Sequence, residues 1–318
     1  SQREFIKDRM PGLGILDIDT AARCIAVCRR LGLIGLFDFS AAFPSISRLF
    51  ILAVMTAANF PGWMIAMASA TWRVARVVND RGDTEYVMGD GVGQGCPSAA
   101  ALFVIGINPL LVALSKLCEL HECEIVSAYA DDIAICITST DRLQCVYDIF
   151  AQFKRAAALD LNMRKTVFVP ISAGCAESAA TEVRAILSTT PWANALVDTS
   201  ATLIGVLVGP VGSDSAFSAA LAKYAARVRE IANLGLSLTQ SIMLTQVLAT
   251  PVLHHVGQFH KLPQRADRTS LVAAQSMMHL PHNGFSGLVL RNISLVGLPD
   301  LGMADLVVQG IALAAARR

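Results

Sequence analysis

Two aspartates stand side by side in Tyr129-Ala130-Asp131-Asp132. β-Branched apolar runs flank them, Ile125-Val126 before and Ile133 to Ile137 after. This pattern reads as a strand, a tight turn and a second strand, with the acids at the tip. Adjacent carboxylates repel each other and gain nothing from a core. A divalent cation removes the repulsion and uses the charge. A third acid, Asp38, ends another apolar run, Leu33-Ile34-Gly35-Leu36-Phe37. Three carboxylates on neighbouring strand ends are a donor set for two metal ions in phosphoryl transfer. Hard oxygen donors without Cys or His suit Mg²⁺, or Mn²⁺ in its place.

Positioning such a set requires strands that end together and helices that bury them. Asp19 to Arg30 reads as an amphipathic helix after a loop at Pro11–Gly14. Leu33 to Phe37 is a buried strand, and Pro44 opens a helix that runs to Ala57. Trp63 to Trp72 is a second helical piece. Arg73–Val78 and Thr84–Met88 flank a turn and read as a hairpin. The glycine-rich stretch Gly89–Gly95 leads into a long helix, Ser98 to Glu119. After the acidic hairpin, Thr140-Asp141 caps a helix to about Ala158, and Thr166 to Val169 is a strand. Thr202 to Val208 reads as one short strand. Beyond Ser215 the periodicity is helical. The expected architecture is α+β, an antiparallel sheet with helices on one face, then a helical region. The composition changes at Gly209-Pro210-Val211-Gly212, so the divisions are 1–30, 31–210 and 211–318.

Net charge is +1 over 318 residues, but it is unevenly spread. Residues 211–318 carry nine Lys/Arg against five Asp/Glu, a net of +4, leaving 17 against 20, or −3, for residues 1–210. The acidic part holds the candidate metal site, and the basic part suits a phosphate backbone. Eight scattered cysteines without a preceding signal peptide fit a reducing, intracellular compartment. Cys118, His121 and Cys123 lack the second ligand cluster that a zinc site requires. Leu49–Trp72 and Gly91–Ser115 are uncharged and long enough to span a bilayer. Turn signals interrupt both, Asn59-Phe60-Pro61-Gly62 in the first and Asn108-Pro109 in the second. They read as buried helices, with no membrane partner.

Asp38-Phe39-Ser40-Ala41-Ala42-Phe43, Gln94-Gly95-Cys96-Pro97-Ser98 and Tyr129-Ala130-Asp131-Asp132 have the order and spacing of reverse transcriptase palm motifs. Leu161-Asn162-Met163-Arg164-Lys165-Thr166 resembles the motif after the catalytic hairpin, and Leu203-Ile204-Gly205 a degenerate primer grip. The chain is most similar to non-LTR (LINE-like) retrotransposon enzymes, and Gln2, Phe5 and Arg9 resemble a segment they carry ahead of the palm. The resemblance implies the end of the fingers in residues 1–30, a palm in 31–210 and a helical thumb in 211–318. It implies an RNA template, a DNA primer and a deoxynucleoside triphosphate as partners. It also implies two Mg²⁺ ions held by Asp38, Asp131 and the Phe39 carbonyl, with Asp132 pointing differently and tuning the site. One ion would lower the pKa of the primer 3′-hydroxyl and the other would neutralise the leaving pyrophosphate.

Other roles follow from the same likeness. Phe43 packs under the sugar and excludes a ribose 2′-hydroxyl, which favours a DNA product over an RNA one. Gln94 and Gly95 approach the nucleotide, with glycine allowing close contact. Tyr129 packs near the primer terminus. Lys165 protonates pyrophosphate, a general-acid effect of roughly 10²–10⁴-fold. The sequence departs from the pattern at Ala41, where a basic residue is common, and at Pro44, where an acid is common. The basic finger residues that clamp the triphosphate are expected upstream of Ser1. A catalytically weak or inert nucleic-acid-binding remnant is therefore the second reading, and an RNA-dependent RNA polymerase the third. A nuclear location is implied only by how such elements insert.

Overall fold

A computed structural model describes residues 11–28, 31–72, 76–87, 89–93, 95–279 and 286–299. Gln2, Phe5, Arg9 and Gln94 lie outside the described residues. The chain packs as two compact units. The first runs to Ile204 and takes in Val208–Pro210; the second comprises Gly205–Leu207 and the chain from Val211 onward.

The first unit starts with α1 (Pro11–Val27), β1 (Gly32–Phe37), α2 (Ala42–Ser45), α3 (Arg48–Ala57) and α4 (Gly62–Trp72). A hairpin of β2 (Arg76–Val78) and β3 (Thr84–Val87) precedes α5 (Ala99–Cys118). Then come β4 (Ile125–Tyr129), β5 (Asp132–Ile137), α6 (Leu143–Ala157), β6 (Val167–Ile171), α7 (Ala176–Leu187) and β7 (Leu196–Val197). Five strands form one sheet in the order β4-β5-β1-β6-β7, antiparallel except for the β6–β7 edge. β1 is central and buried at every position, which is why its sequence is an unbroken apolar run rather than an alternation.

Alternation along the strands sends residues to two covered faces. Leu33, Phe37, Ile133, Ile135, Val126 and Phe168 join the core with Leu102, Phe103 and Leu110 of α5 and Val146 and Phe150 of α6. Trp192 is buried at the centre of this layer; its ring meets Phe37, Phe168 and Tyr147, and its indole N–H donates to the Leu143 carbonyl at 2.9 Å. Each such buried aromatic or aliphatic side chain stabilises the fold by roughly 1.5–3 kcal/mol. Gly35 makes the fit possible, since a Cβ there would lie 2.9 Å from the Phe37 ring. The opposite face is not bare, as the one-sided expectation had it. Helix α1 lies across β4, β1 and β5 and buries Ile15, Ile18, Ala21 and Ile25. It takes in Pro11–Gly14, which the sequence reads as a loop, and the apolar spacing that buries the helix extends back to Ile15.

Among the described residues, α5 is the one helix long and apolar enough by composition to cross a membrane, and its Leu102, Phe103, Ile107 and Leu110 face is buried in the core. The 140–158 segment begins with a short 3-10 turn capped by Ser139 rather than by Thr140. The segment read as one strand after Thr202 is a hairpin, β8 (Ala201–Leu203) and β9 (Val206–Val208). Ile204 and Gly205 both have positive φ, 48° and 77°, as a primed two-residue turn requires.

In the second unit the helices are α8 (Ser213–Ala232), α9 (Leu238–Leu248), α10 (Thr250–Gly257), α11 (Gln264–Met277) and α12 (Gly287–Arg291). Phe217, Tyr224, Val228, Ile242, Leu253 and Met277 form its own core. A capping box between Ser237 and Gln240 starts α9. Arg227 donates to the Leu248 carbonyl at the end of α9.

Candidate active site

β1 and β5 pair with Phe37 opposite Ile133, so the next residues along each strand, Asp38 and Asp132, face each other across the sheet end. Asp38 therefore stands at the acidic hairpin, as the sequence reading requires. Its backbone is fixed on the other side. Asn162 N–H donates to the Asp38 carbonyl at 2.8 Å, and Ser40 N–H donates to the Asp160 carbonyl at 2.8 Å. These two bonds frame an antiparallel bridge between Phe39 and Leu161. In such a pair the framed residues turn their own N–H and C=O away from each other. The Phe39 carbonyl thus points toward the β5 side, while its ring is buried near Phe150.

The hairpin turn itself is Ala130-Asp131, with Tyr129 paired to Asp132 on the flanking strands. Ala130 has φ 51°, a left-handed conformation that glycine usually takes in primed turns. Such strained backbone persists where the surrounding sheet over-determines it. Tyr129 is half-buried at the end of β4.

Asp38 and Asp132 line a cleft of about 220 Å³ together with Lys165, Val167, Thr202 and Leu203. Asp132 lines this cleft with Asp38 because it holds the register position opposite Asp38, and Asp131 stands beside it in the turn. Lys165 Nζ lies 3.3 Å from Asp38 Oδ2. The turn that presents Lys165 is closed by Lys165 and Thr166 N–H groups donating to the Asn162 carbonyl, so Asn162 ties the lysine to the Asp38 backbone. Partial desolvation raises the Asp132 pKa, and the negative charges of Asp131 and Asp38 raise it further.

Whether these residues suit a metal ion rests on their chemistry. Asp38 Oδ2 is buried and accepts no hydrogen bond, and the Lys165 ammonium at 3.3 Å is its ion-pair partner. The donors at the cleft are all oxygen, and the mutual repulsion recorded in the Asp132 pKa is relieved by positive charge. In kind they fit a hard divalent ion. Among the described residues, no three His, Cys, Asp or Glu side chains stand close enough together to share one ion.

The glycine-rich segment is built onto the turn after Asp38. Gly91 N–H donates to the Ile46 carbonyl at 2.9 Å and Val92 N–H to the Phe43 carbonyl at 2.8 Å. Gly91 has φ 81°, and a Cβ there would lie 2.2 Å from the Pro44 carbonyl oxygen, so only glycine permits this approach. Phe43 stacks on Phe103 of α5, centroids 4.3 Å apart at 17°, and remains half-buried. Gly95 is exposed with φ 88°. Cys96 Sγ lies 3.1 Å from Ser98 Oγ, and that hydrogen bond lowers the thiol pKa.

Sequence reasoning missed Arg48. It is buried, donating through Nε to the Gly91 carbonyl at 2.8 Å and through Nη1 to the Gly89 carbonyl at 3.2 Å. A signal was present: an arginine in the first turn of α3 opposes the helix dipole, so it gains nothing from the helix that carries it. It also missed that Pro44 does not begin one long helix. α2 stops at Ile46, and Ser47 caps α3 by accepting from Phe50 N–H at 3.3 Å.

No curated protein matches the chain. Among solved structures, apo telomerase from Candida tropicalis aligns with a TM-score of 0.53 at 11% identity, covering 95% of this chain and 51% of that one. Telomerase from Candida albicans, in complex with a fragment of telomeric RNA, aligns with a TM-score of 0.49 at 11% identity, covering 98% and 51%. The chain therefore spans about half the length of these structures. At such identities the first likeness establishes a common fold, the mixed α+β polymerase fold. The model of the family described as reverse transcriptase (RNA-dependent DNA polymerase) matches residues 14–236, which include the Asp38 strand end, the Gly91 loop, the Asp131-Asp132 hairpin and the Lys165 turn. With more than two-thirds of its length inside that match, the chain belongs to the reverse transcriptase family.

Proposed function

We propose that this protein is an RNA-directed DNA polymerase of a retroelement of non-LTR type, joining deoxynucleotides to a primer 3′-hydroxyl on an RNA template. One observation carries the reading: Asp38 and Asp132 face each other at the end of adjacent strands, with Asp131 in the turn between β4 and β5 and Lys165 at 3.3 Å from Asp38. Between them, Asp38, Asp131, Asp132 and the Phe39 carbonyl would hold two ions, Mg²⁺ or Mn²⁺, with no single ion drawing on all three carboxylates. When bound, the metal supplies charge neutralisation at the reacting phosphate and acidifies the attacking hydroxyl.

The remaining work belongs to the chain. Lys165, 3.3 Å from Asp38, would donate a proton to the departing pyrophosphate. Its exposed ammonium contributes little to stability, about 1 kcal/mol or less after solvent screening, so it is free to follow the charge of the reaction. Phe43, backed by Phe103, forms a rigid apolar wall against which a deoxyribose fits and a 2′-hydroxyl loses its hydrogen bonds. The Gly95 segment offers exposed backbone for close approach to the nucleotide. The basic balance of residues 211–318 suits the duplex backbone.

Primer extension on an RNA template tests this, with Mg²⁺, deoxy- or ribonucleotides, and Asp38→Asn as the control. Extension with deoxynucleotides, lowered about 10²-fold or more in the variant, is expected. Template binding without extension would replace the proposal with a non-catalytic nucleic-acid-binding role. Preference for ribonucleotides would turn it into an RNA polymerase.

A further inference from the structure

We propose that Arg48 is a positioning residue for nucleotide selection: it fastens the glycine-rich loop to the Phe43 wall and so sets affinity for the deoxynucleotide. This rests on the polymerase reading above. The loop is held from two sides. Main-chain bonds from Gly91 and Val92 tie it to Ile46 and Phe43, and Arg48 ties it from α3. A single planar guanidinium reaches two carbonyls of the same loop, Gly91 at 2.8 Å and Gly89 at 3.2 Å. Its Cζ lies over the Trp72 ring of α4, 5.7 Å from the ring centroid. Asp90, between the two acceptor residues, adds favourable charge. Burial makes each of these bonds count, because a cation out of water needs its acceptors.

The consequence is mechanical. Gly91 lies so tightly on Pro44 that the loop and the 43–46 segment move together. Arg48 fixes that pair relative to α3 and α4. Losing the fork lets the loop and the wall shift while the carboxylates, fixed by the sheet register, stay in place. Affinity and sugar choice then suffer more than turnover does. A lysine cannot substitute fully, since a point charge on a flexible stem does not span two carbonyls in one plane.

The test uses the full chain with Arg48→Met and Arg48→Lys. Steady-state primer extension reads KM and kcat for dTTP and the preference for dTTP over UTP. Hydrogen exchange reads protection of the loop amides against those of β1 and β5. Expected are a KM raised on the order of tenfold in Arg48→Met with kcat within about threefold. Discrimination should fall, loop exchange should quicken with the sheet unchanged, and Arg48→Lys should lie between. Unchanged KM and discrimination overturn the proposal, as does a uniform loss of kcat and sheet protection, which would make Arg48 merely structural. If Arg48→Met does not fold, Arg48→Lys carries the same comparison. If the unaltered protein does not extend primers, the polymerase reading fails separately, and loop exchange that ignores Arg48 still refutes the positioning role.

Discussion

Asp132, exposed at the start of β5, holds its proton more tightly in the folded chain than in the unfolded one, because partial desolvation and the negative charges of Asp131 and Asp38 disfavour its charged form. Such an acid costs stability as pH rises above its ordinary value of 3.8, and the cost stops growing once pH passes the folded pKa. Asp132→Asn removes that cost. Its melting temperature is expected to exceed that of the unaltered protein at neutral pH, with the gap closing below about pH 3.5, where both states are protonated. Equal melting temperatures at neutral pH would contradict the crowded-carboxylate picture. At this scale the acids were readable from their combination: an adjacent pair alone is most often a solvated turn, but Asp38 and the Gln94-Gly95 loop stand with it in one order and spacing. Which of the two turns toward Asp38 was not readable, because a one-residue difference in register reverses the face of every side chain on a strand. Arg48 escaped notice for a similar reason, since its acceptors lie more than forty positions away in the chain.

Elements are joined by bonds that no local pattern announces. Glu124, just ahead of β4, accepts from Thr138 N–H at 3.0 Å and from its hydroxyl at 2.7 Å, and its other oxygen lies 3.4 Å from Arg142 Nε. Arg142 in turn donates to the Leu117 carbonyl near the end of α5. One buried carboxylate thus closes the far end of the β4–β5 hairpin and the start of α6, opposite the Ala130-Asp131 turn. Glu124→Ala leaves the half-buried Arg142 without its counter-charge and should cost about 3 kcal/mol, seen as a lower denaturation midpoint with an unchanged slope. Loss of under 0.5 kcal/mol would show the pair to be ornamental. Strands and long helices were legible from their periodicity, and the β2–β3 hairpin from its Asn79–Asp83 turn, where Asn79 Oδ1 accepts from Arg81 and Asp83 N–H. Short breaks were not legible: the Ile46-Ser47 interruption and the Ile204-Gly205 turn depend on neighbours that complete their hydrogen bonds.

Across the whole molecule, the two units differ in what they report. All three tryptophans, Trp63, Trp72 and Trp192, belong to the first unit, whereas helices are the only regular structure described in the second from Ser213 onward. Each unit has its own buried core. Denaturation followed by tryptophan fluorescence and by far-ultraviolet circular dichroism should therefore give curves that do not superimpose, as expected when two cores unfold separately. Coincident curves would mean that the units melt as one. The candidate residues and the class of fold were written in the chain itself: three aspartates, their spacing, and apolar runs of the length and period of strands and helices. Those are local properties, set by side-chain type and backbone geometry. Only the folded structure decided that Asp132 faces Asp38, that Lys165 lies against it, that α1 covers the second face of the sheet, and that Arg48 grips the glycine-rich loop. These depend on register and on contacts between residues far apart in sequence, which form when burial of the core brings the strands side by side.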